Sequence, residues 1–432
     1  MKLLLINPNK FCDPPIGPVP PIGLDYLQGI LEKKKHEVKL VDLYFADDSE
    51  LFSLIGNYTP DVVGITIRIT DDSMWLTQRY YLPRIERIIQ TLKEAGLENI
   101  IVGGAGFTST ARLAFKVLSA DYGVVGDGEL PLVSLLKEIE KGAKTIKTPG
   151  VIFKEGDKII TNTRIFYDIN QLPDNPRTLV DNIRYSKADG ISNIETKRGC
   201  PMQCAFCIDP LIEGEYYSHR VRSPERVADE FQRLYEQGIE YVHVNDPEFN
   251  LPPNHALTVS NELIKRKNQV GWECEIHPIA YTVSEDLVKC MKGAGCQKVN
   301  IGVDTGSPKV MKLLNIHHSP EEVEHVSKLF KKYEIFVQQM YITGCPGEGI
   351  DELNETLDLI ERSKPTVAFF MTGLRIYPGT ILERFCRKEG TLRPDQNCLE
   401  PTYYQPGHLE NELLPILSKR CGEHTNWIKP GY

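Results

Sequence analysis

Residues 198–210 read RGCPMQCAFCIDP and set Cys200, Cys204 and Cys207 in the spacing C-x-x-x-C-x-x-C, just after the strand-like run 191–196. Three thiolates on one short loop can each take one iron of a four-iron cluster and leave the fourth iron without a protein ligand. A structural zinc site needs four closed ligands, usually from paired C-x-x-C knuckles, and neither a second knuckle nor a nearby histidine completes this loop. A ferredoxin-type carrier needs a fourth cysteine at fixed spacing, which is also missing. Free cysteines can pack as small hydrophobes, but Arg198-Gly199 before Cys200 and Pro201 after it describe an ordered, exposed loop. The spacing points to a catalytic 4Fe-4S centre.

Around this loop, strands near Ile191, Tyr241, Trp272, Val299, Val337 and Val367 alternate with amphipathic helices. Ser223 before Pro224, Ser284 before Glu285 and Asp286, and Ser319 with Glu322 are helix-start signals. Six strand-helix units make a partial (β/α)6 barrel of the TIM type, in which the loops after the strands carry the chemistry. The cysteine loop follows the first of them. Upstream, apolar strands at 3–6, 38–41, 62–67, 100–102 and 122–125 also alternate with helices, the pattern of a doubly wound, Rossmann-like parallel sheet. Ligands of such sheets lie beyond the carboxyl ends of the strands, here the loops 7–23, 66–73, 103–108 and 126–129.

The class is therefore α/β, with a Rossmann-like domain at 1–143, a hairpin and linker at 144–190, the barrel at 191–392 and an extension at 393–432. VIFKEGDKII reads as a hairpin turning at Glu155-Gly156-Asp157, and NQLPDNP as the linker. The extension is polar, partly helical and ends in an aromatic tail, which suits a lid or a surface appendage.

At 432 residues the chain can hold two or three domains with full cores. A formal charge of -9 argues against a nucleic-acid partner, because phosphate binding needs a basic face. Lys33-Lys34-Lys35 reads as the end of a solvated helix face. MKLLLINPNK, interrupted by Asn7 and Pro8, reads as a buried strand and not as a signal peptide or membrane span. Eleven cysteines with no export signal place the chain in a reducing cytoplasm. The eight outside the loop read as packing residues, Cys12 and Cys345 falling on predicted turns.

With the aromatic Phe206 before its last cysteine, the loop resembles the signature of the radical S-adenosylmethionine (SAM) superfamily. Four later segments are similar to motifs of that family: VHVNDPEF, with Asn245 in place of its first acid; WECEIHP, with His277 where arginine is usual; IGVDTGSP, with Asp304 for glutamate; and MYITGCPGE. The resemblance implies SAM contacts at Phe206, Asp246, Asp304, Ser307 and Gly344. Glycine turns there would let backbone approach adenine, ribose and methionine, while one acid pairs with the α-ammonium.

The first domain resembles the cobalamin-binding domain that precedes the barrel in one branch of the superfamily, through PVPPIGLDYLQGILEKKKHEVKLVDL, VVGITIRITDD, IIVGGAGFTS and YGVVGDGELPL. It implies cobalamin contacts at Thr66, Arg68, Gly103, Gly104, Gly106, Phe107 and Gly126. No D-x-H-x-x-G string occurs among the ten histidines, so nothing in the sequence supplies a histidine to the lower cobalt face. Axial ligation tunes a metal, and a weakly ligated face eases passage between oxidation states.

The resemblance implies a cobalamin-dependent radical SAM enzyme that methylates an unactivated carbon of a small molecule, supplied with electrons by flavodoxin or ferredoxin. One SAM would methylate reduced cobalamin; a second, on the open iron, would yield the 5′-deoxyadenosyl radical that takes hydrogen from the substrate. Tyr341, Arg375 and Tyr377, near strand ends or in the YPGT turn, are the expected substrate-pocket residues. His317-His318 reads as a solvated pair, and His219 follows an exposed aromatic run. Two alternatives stay open: a radical SAM isomerase, cyclase or ring-contracting enzyme, and a non-catalytic iron-sulfur redox or sensor protein.

Overall fold

The computed structural model describes residues 1–9, 17–213 and 219–429; Cys12 lies outside them. The chain forms two compact units, one of Met1–Asp71, Tyr80–Asn193 and Glu236–Ile239, the other of Asp72–Arg79, Ile194–Tyr235 and Glu240–Tyr432. No helix among the described residues is long and apolar enough to cross a membrane.

In the first unit the apolar runs become β1 (Lys2–Asn7), β2 (Glu37–Asp42), β3 (Val62–Thr66), β4 (Ile100–Gly103) and β5 (Tyr122–Val124). They pair in parallel in the order β2-β1-β3-β4-β5. Winding reverses between β1 and β3, which opens a crevice at their carboxyl ends. Leu3, Leu4, Leu5 and Ile6 are all buried, because helices cover both faces of a parallel sheet. The hairpin forms as expected, β6 (Val151–Glu155) turning through Gly156 (φ +59) into β7 (Lys158–Thr161). It is not detached: β6 adds antiparallel to β5 and buries Val151, Ile152 and Phe153, residues that a free linker would leave in water.

The run 175–180 is held to the helix Ile22–Lys33 by a wholly buried ion pair, Arg177 Nε to Asp25 at 2.7 Å. Asp25 also accepts the Leu179 and Val180 N–H groups, and Arg177 donates to the Asn193 carbonyl.

In the second unit β8 (Ser192–Ile194) leads into a ribbon of β9 (Lys197–Arg198) and β10 (Arg220–Val221). Next come β11 (Tyr241–Val244), β12 (Gly271–Ile276), β13 (Cys296–Asp304), β14 (Phe336–Thr343) and β15 (Val367–Thr372), then a second ribbon of β16 (Leu374–Arg375) and β17 (Tyr403–Tyr404), and finally β18 (Trp427–Ile428). The sheet runs β18-β15-β14-β13-β12-β11-β8. Its helices start where expected: Ser284 accepts from Leu287 N–H, and Ser319 and Glu322 close a capping box.

The two faces of this sheet differ. Val242, Trp272, Cys274, Val299, Ile301, Val337, Gln339, Tyr341, Ala368 and Phe370 pack under the outer helices and are fully buried. Tyr241, His243, Glu275, Lys298, Gly302, Asp304, Met340, Phe369 and Met371 alternate with them on the inner face and stay partly accessible. A TIM barrel normally fills its interior with layers of branched side chains; this inner face carries polar side chains on β11 to β13 and has open space at Gly302. The tail is neither lid nor appendage, since β18 pairs with β15 and Trp427 packs between Phe370 and His424.

Asp25→Ala would leave the Arg177 guanidinium buried without its counter-charge, and urea unfolding should show a loss of about 3–5 kcal/mol.

Candidate functional site

The cysteine loop grows from a joint between two strand ends. Asp246, just past β11 and 2% exposed, accepts the Thr196 N–H at 2.8 Å, the Thr196 hydroxyl at 2.5 Å and the Lys197 N–H at 3.3 Å. His255 closes the same knot on the Thr196 carbonyl and hydroxyl. Arg198 then pairs with Glu195, and Gly199 turns the chain at φ +91, a left-handed conformation that L side chains resist. Beyond it the loop is stapled twice through Ala205, whose N–H reaches the Leu314 carbonyl and whose carbonyl receives the Leu382 N–H.

On this frame the Cys200 thiol donates to Glu248 Oε1 at 2.6 Å, and Asp209 N–H reaches Cys207 Sγ at 3.5 Å. Burial pushes all three thiols up: Cys200 with help from Glu248, Cys207 from Asp209, and Cys204, beside Asp304, to about 12. A bound cation reverses that penalty, because metal ligation requires the thiolate. Among the described residues no three His, Cys, Asp or Glu side chains close on a single-ion site. Three thiols on a short, braced loop form a donor set that fits a cluster binding one sulfur per iron.

Of the SAM residues implied by the resemblance, Phe206 lies on this loop, Asp304 acts on Cys204, and Ser307 and Gly344 follow the ends of β13 and β14. Phe206 packs partly buried against the apolar group of Val310, Leu314, Ile342 and Leu382. Asp304 follows a register shift in β13 and holds φ +63; burial alone pushes its carboxyl up to about 7. Ser307 is fully buried, and its hydroxyl has no partner among the described residues, an orphan that a ligand would satisfy. Gly344 (φ +95) gives its N–H to Glu348, and a Cβ there would lie 3.1 Å from Leu409. Asp246 is the exception. Both its oxygens are committed to Thr196 and Lys197, so it braces the cysteine loop and does not face a ligand.

The substrate residues expected from the sequence are also placed differently. Tyr341 is on the outer face, its hydroxyl donating to Gln339 and its ring stacked on Phe370, because strand alternation turns it toward the helices. Arg375 is 5% exposed and spends its guanidinium on the carbonyls of Ile376, Cys398, Leu399 and Thr402. Tyr377 stacks against Arg375 and shares a 2.6 Å hydrogen bond with Ser73. His317 is exposed as expected, but His318 is buried and packs edge-on against His277. Burial pushes His277 down to about 3 and His318 to about 4, so both are neutral.

Sequence reading missed Glu248, which the E of the DPEF segment could have flagged, and the inner-face polar rows of β12 and β13. There Glu273 accepts from Tyr241, meets His243 at 3.1 Å and pairs with Lys298 at 3.4 Å. Burial opposes its charge, but His243, Lys298 and Tyr241 together hold its carboxyl down at about 2. Next to it, Glu275 accepts from Asn300 at 3.1 Å, and burial pushes it up to about 7.

In the first unit the implied cobalamin residues divide. Thr66, Arg68, Gly103, Gly104 and Gly126 keep partial exposure at the carboxyl edge of the sheet. Gly103, whose Cβ would meet nothing nearer than 3.5 Å, leaves room there. Gly106 and Phe107 do not face that edge. A Cβ on Gly106 would lie 2.7 Å from the Ile69 backbone, and the Phe107 ring fills the space over Gly123. Both serve the unit's own packing.

Residues 194–360 match the model of the radical SAM superfamily and residues 15–136 that of the B12 binding domain. The chain is 26% identical to tryptophan 2-C-methyltransferase of Streptomyces laurentii over 87% of its own length and 72% of the relative's. It is 29% identical to an uncharacterized methyltransferase of Pyrococcus horikoshii, covering 88% and 82%. The fold matches that of the radical SAM methyltransferase TsrM from Kitasatospora setae, solved with cobalamin and a [4Fe-4S] cluster, at TM-score 0.87 and 24% identity, covering 100% of this chain and 93% of that one.

Asp246→Ala would release the root of the cysteine loop; iron and acid-labile sulfide per chain should fall several-fold, while Asp246→Asn keeps part of the brace and retains more. A second outcome concerns Glu275. Its folded-state carboxyl lies above the unfolded value of 4.5, so its stabilising contribution is full below about 4.5 and is lost as pH rises to about 7. Melting of wild type and Glu275→Gln should show the variant gaining on wild type between about pH 5 and about pH 8, by on the order of 1–3 kcal/mol.

Proposed function

From the matches to the radical SAM superfamily and the B12 binding domain and the likeness to methyltransferases over most of the chain, we propose that this chain is a cobalamin-dependent radical SAM methyltransferase that transfers a methyl group to a carbon of a small-molecule substrate. The observation that carries this reading is a braced three-thiol loop at the strand ends of the second unit, in one chain with a segment that matches the B12 binding domain. When bound, the cluster and cobalamin supply electron transfer to the SAM sulfonium and methyl carriage; the protein supplies binding and orientation.

Cys200, Cys204 and Cys207 hold the cluster. Asp304, pointed at the loop by its left-handed backbone, receives the cationic end of SAM, and the orphaned Ser307 hydroxyl takes a second polar contact. Phe206 and the Gly344 turn give the apolar and backbone surfaces. Thr66, Arg68, Gly103, Gly104 and Gly126 form the cobalamin edge. Phe206, packed on the apolar group of Val310, Leu314 and Leu382, limits water on that side of the loop, which protects a reactive radical from side reactions. A low-potential flavodoxin or ferredoxin delivers the electrons, and the formal charge of -9 favours a small-molecule substrate over RNA.

Anaerobic protein reconstituted with iron, sulfide and cobalamin, reduced and given SAM, should release both 5′-deoxyadenosine and S-adenosylhomocysteine and hold about one cobalamin per chain. Cys204→Ser should abolish 5′-deoxyadenosine. The adenosine product alone would indicate isomerase- or cyclase-type radical chemistry, S-adenosylhomocysteine alone methyl transfer without the radical, and neither product would remove the enzymatic reading.

A further inference from the structure

The inner face of the barrel has a gap with a polar floor. At Gly302 on β13 the position of a Cβ has no atom within 4 Å. Two residues earlier on the same face stands Asn300, in register with Glu275 on β12. Asn300 Nδ2 donates to Glu275 Oε1 at 3.1 Å, which directs the amide oxygen elsewhere. That oxygen is buried and has no partner among the described residues. The neighbouring cations are already engaged, His243 and Lys298 both pairing with Glu273. At the level of the gap the adjoining strands present Met340, in register with Gly302, and Phe369, in register with Met340.

We propose that Glu275 and Asn300 form a recognition subsite for the N–H groups of a protonated amine, with the substrate's apolar body in the Gly302 gap against Met340 and Phe369. This deepens the proposed methyl transfer by naming the substrate class, an amine carrying an apolar group. Two acceptors, one anionic and one an orphaned amide oxygen, match an ammonium, which offers donors and no acceptor. An alcohol brings one donor to two acceptors, and a carboxylate would set two acids together. A buried acceptor without a donor is costly, and a charge-assisted pair satisfies it. Burial pushes the Glu275 carboxyl up, and a bound cation offsets that effect.

The test uses phenethylamine and its neutral counterpart 2-phenylethanol as probes, titrated into cluster- and cobalamin-loaded protein by ligand-observed NMR. Wild type should bind the amine at least tenfold more tightly than the alcohol. Glu275→Gln, nearly isosteric, should remove most of that preference, and Gly302→Leu should block both probes with Glu275 intact. Equal binding of the two probes, amine binding unchanged in Glu275→Gln, or amine binding lost only in Asp304→Asn would overturn the proposal. SAM cleavage measured on the same preparations separates the two readings: absence of both SAM products in wild type removes the methyltransferase reading, whereas the amine subsite stands or falls on the titrations alone.

Discussion

The buried carboxylate of Asp246 is the contact on which the rest of the site depends. It ties the end of β11 to the first residues after β8 through three hydrogen bonds, and the cysteine loop leaves from there. A short loop cannot hold three sulfurs in a common geometry by its own contacts, because its backbone entropy favours many arrangements. Here the entry is pinned at Thr196, the middle at Ala205 and the exit by the Asp209 N–H on Cys207. The apolar group beneath Phe206 adds a floor to the same loop.

Alternation along the strands then divides the labour of the second unit. Outer positions carry the hydrophobic burial that stabilises it, so inner positions are released from that duty and can be polar. Glu273 exploits this with a closed network of Tyr241, His243 and Lys298, in which a charge is buried and fully answered. Asn300, one step nearer the carboxyl ends and bonded to Glu275, is not fully answered, its amide oxygen having no partner among the described residues. Such incompletely satisfied polar groups are expensive in a static fold and are characteristic of places where a ligand completes the structure. The same physics distinguishes Ser307, an orphaned hydroxyl just past the end of β13, from Arg375, whose guanidinium is answered by four carbonyls and is therefore structural.

Much of this was legible beforehand in local terms. The strands of both sheets, the hairpin at Gly156 and the capping box at Ser319 rest on neighbours within a few residues, and period-two or continuous apolar runs encode them directly. The cysteine spacing is equally local. Roles that depend on which way a side chain points after long-range pairing were harder. Tyr341 stands on a strand close to its carboxyl end, a position that suggests the chemistry, but the parity of that strand turns it outward. Phe107 and Gly106 sit in a glycine-rich turn typical of a ligand edge, and only their close approach to Gly123 and Ile69 shows that they serve packing.

The sequence alone determined the element order, the two α/β architectures and the three thiols on one loop, because periodicity and spacing are properties of adjacent residues. Tertiary structure alone decided that Asp246 braces while Asp304 stays open, that the tail completes a sheet as β18, and that Glu275 meets Asn300. Those outcomes depend on register between strands 25 or more residues apart, where each side chain competes for partners that no local pattern can name.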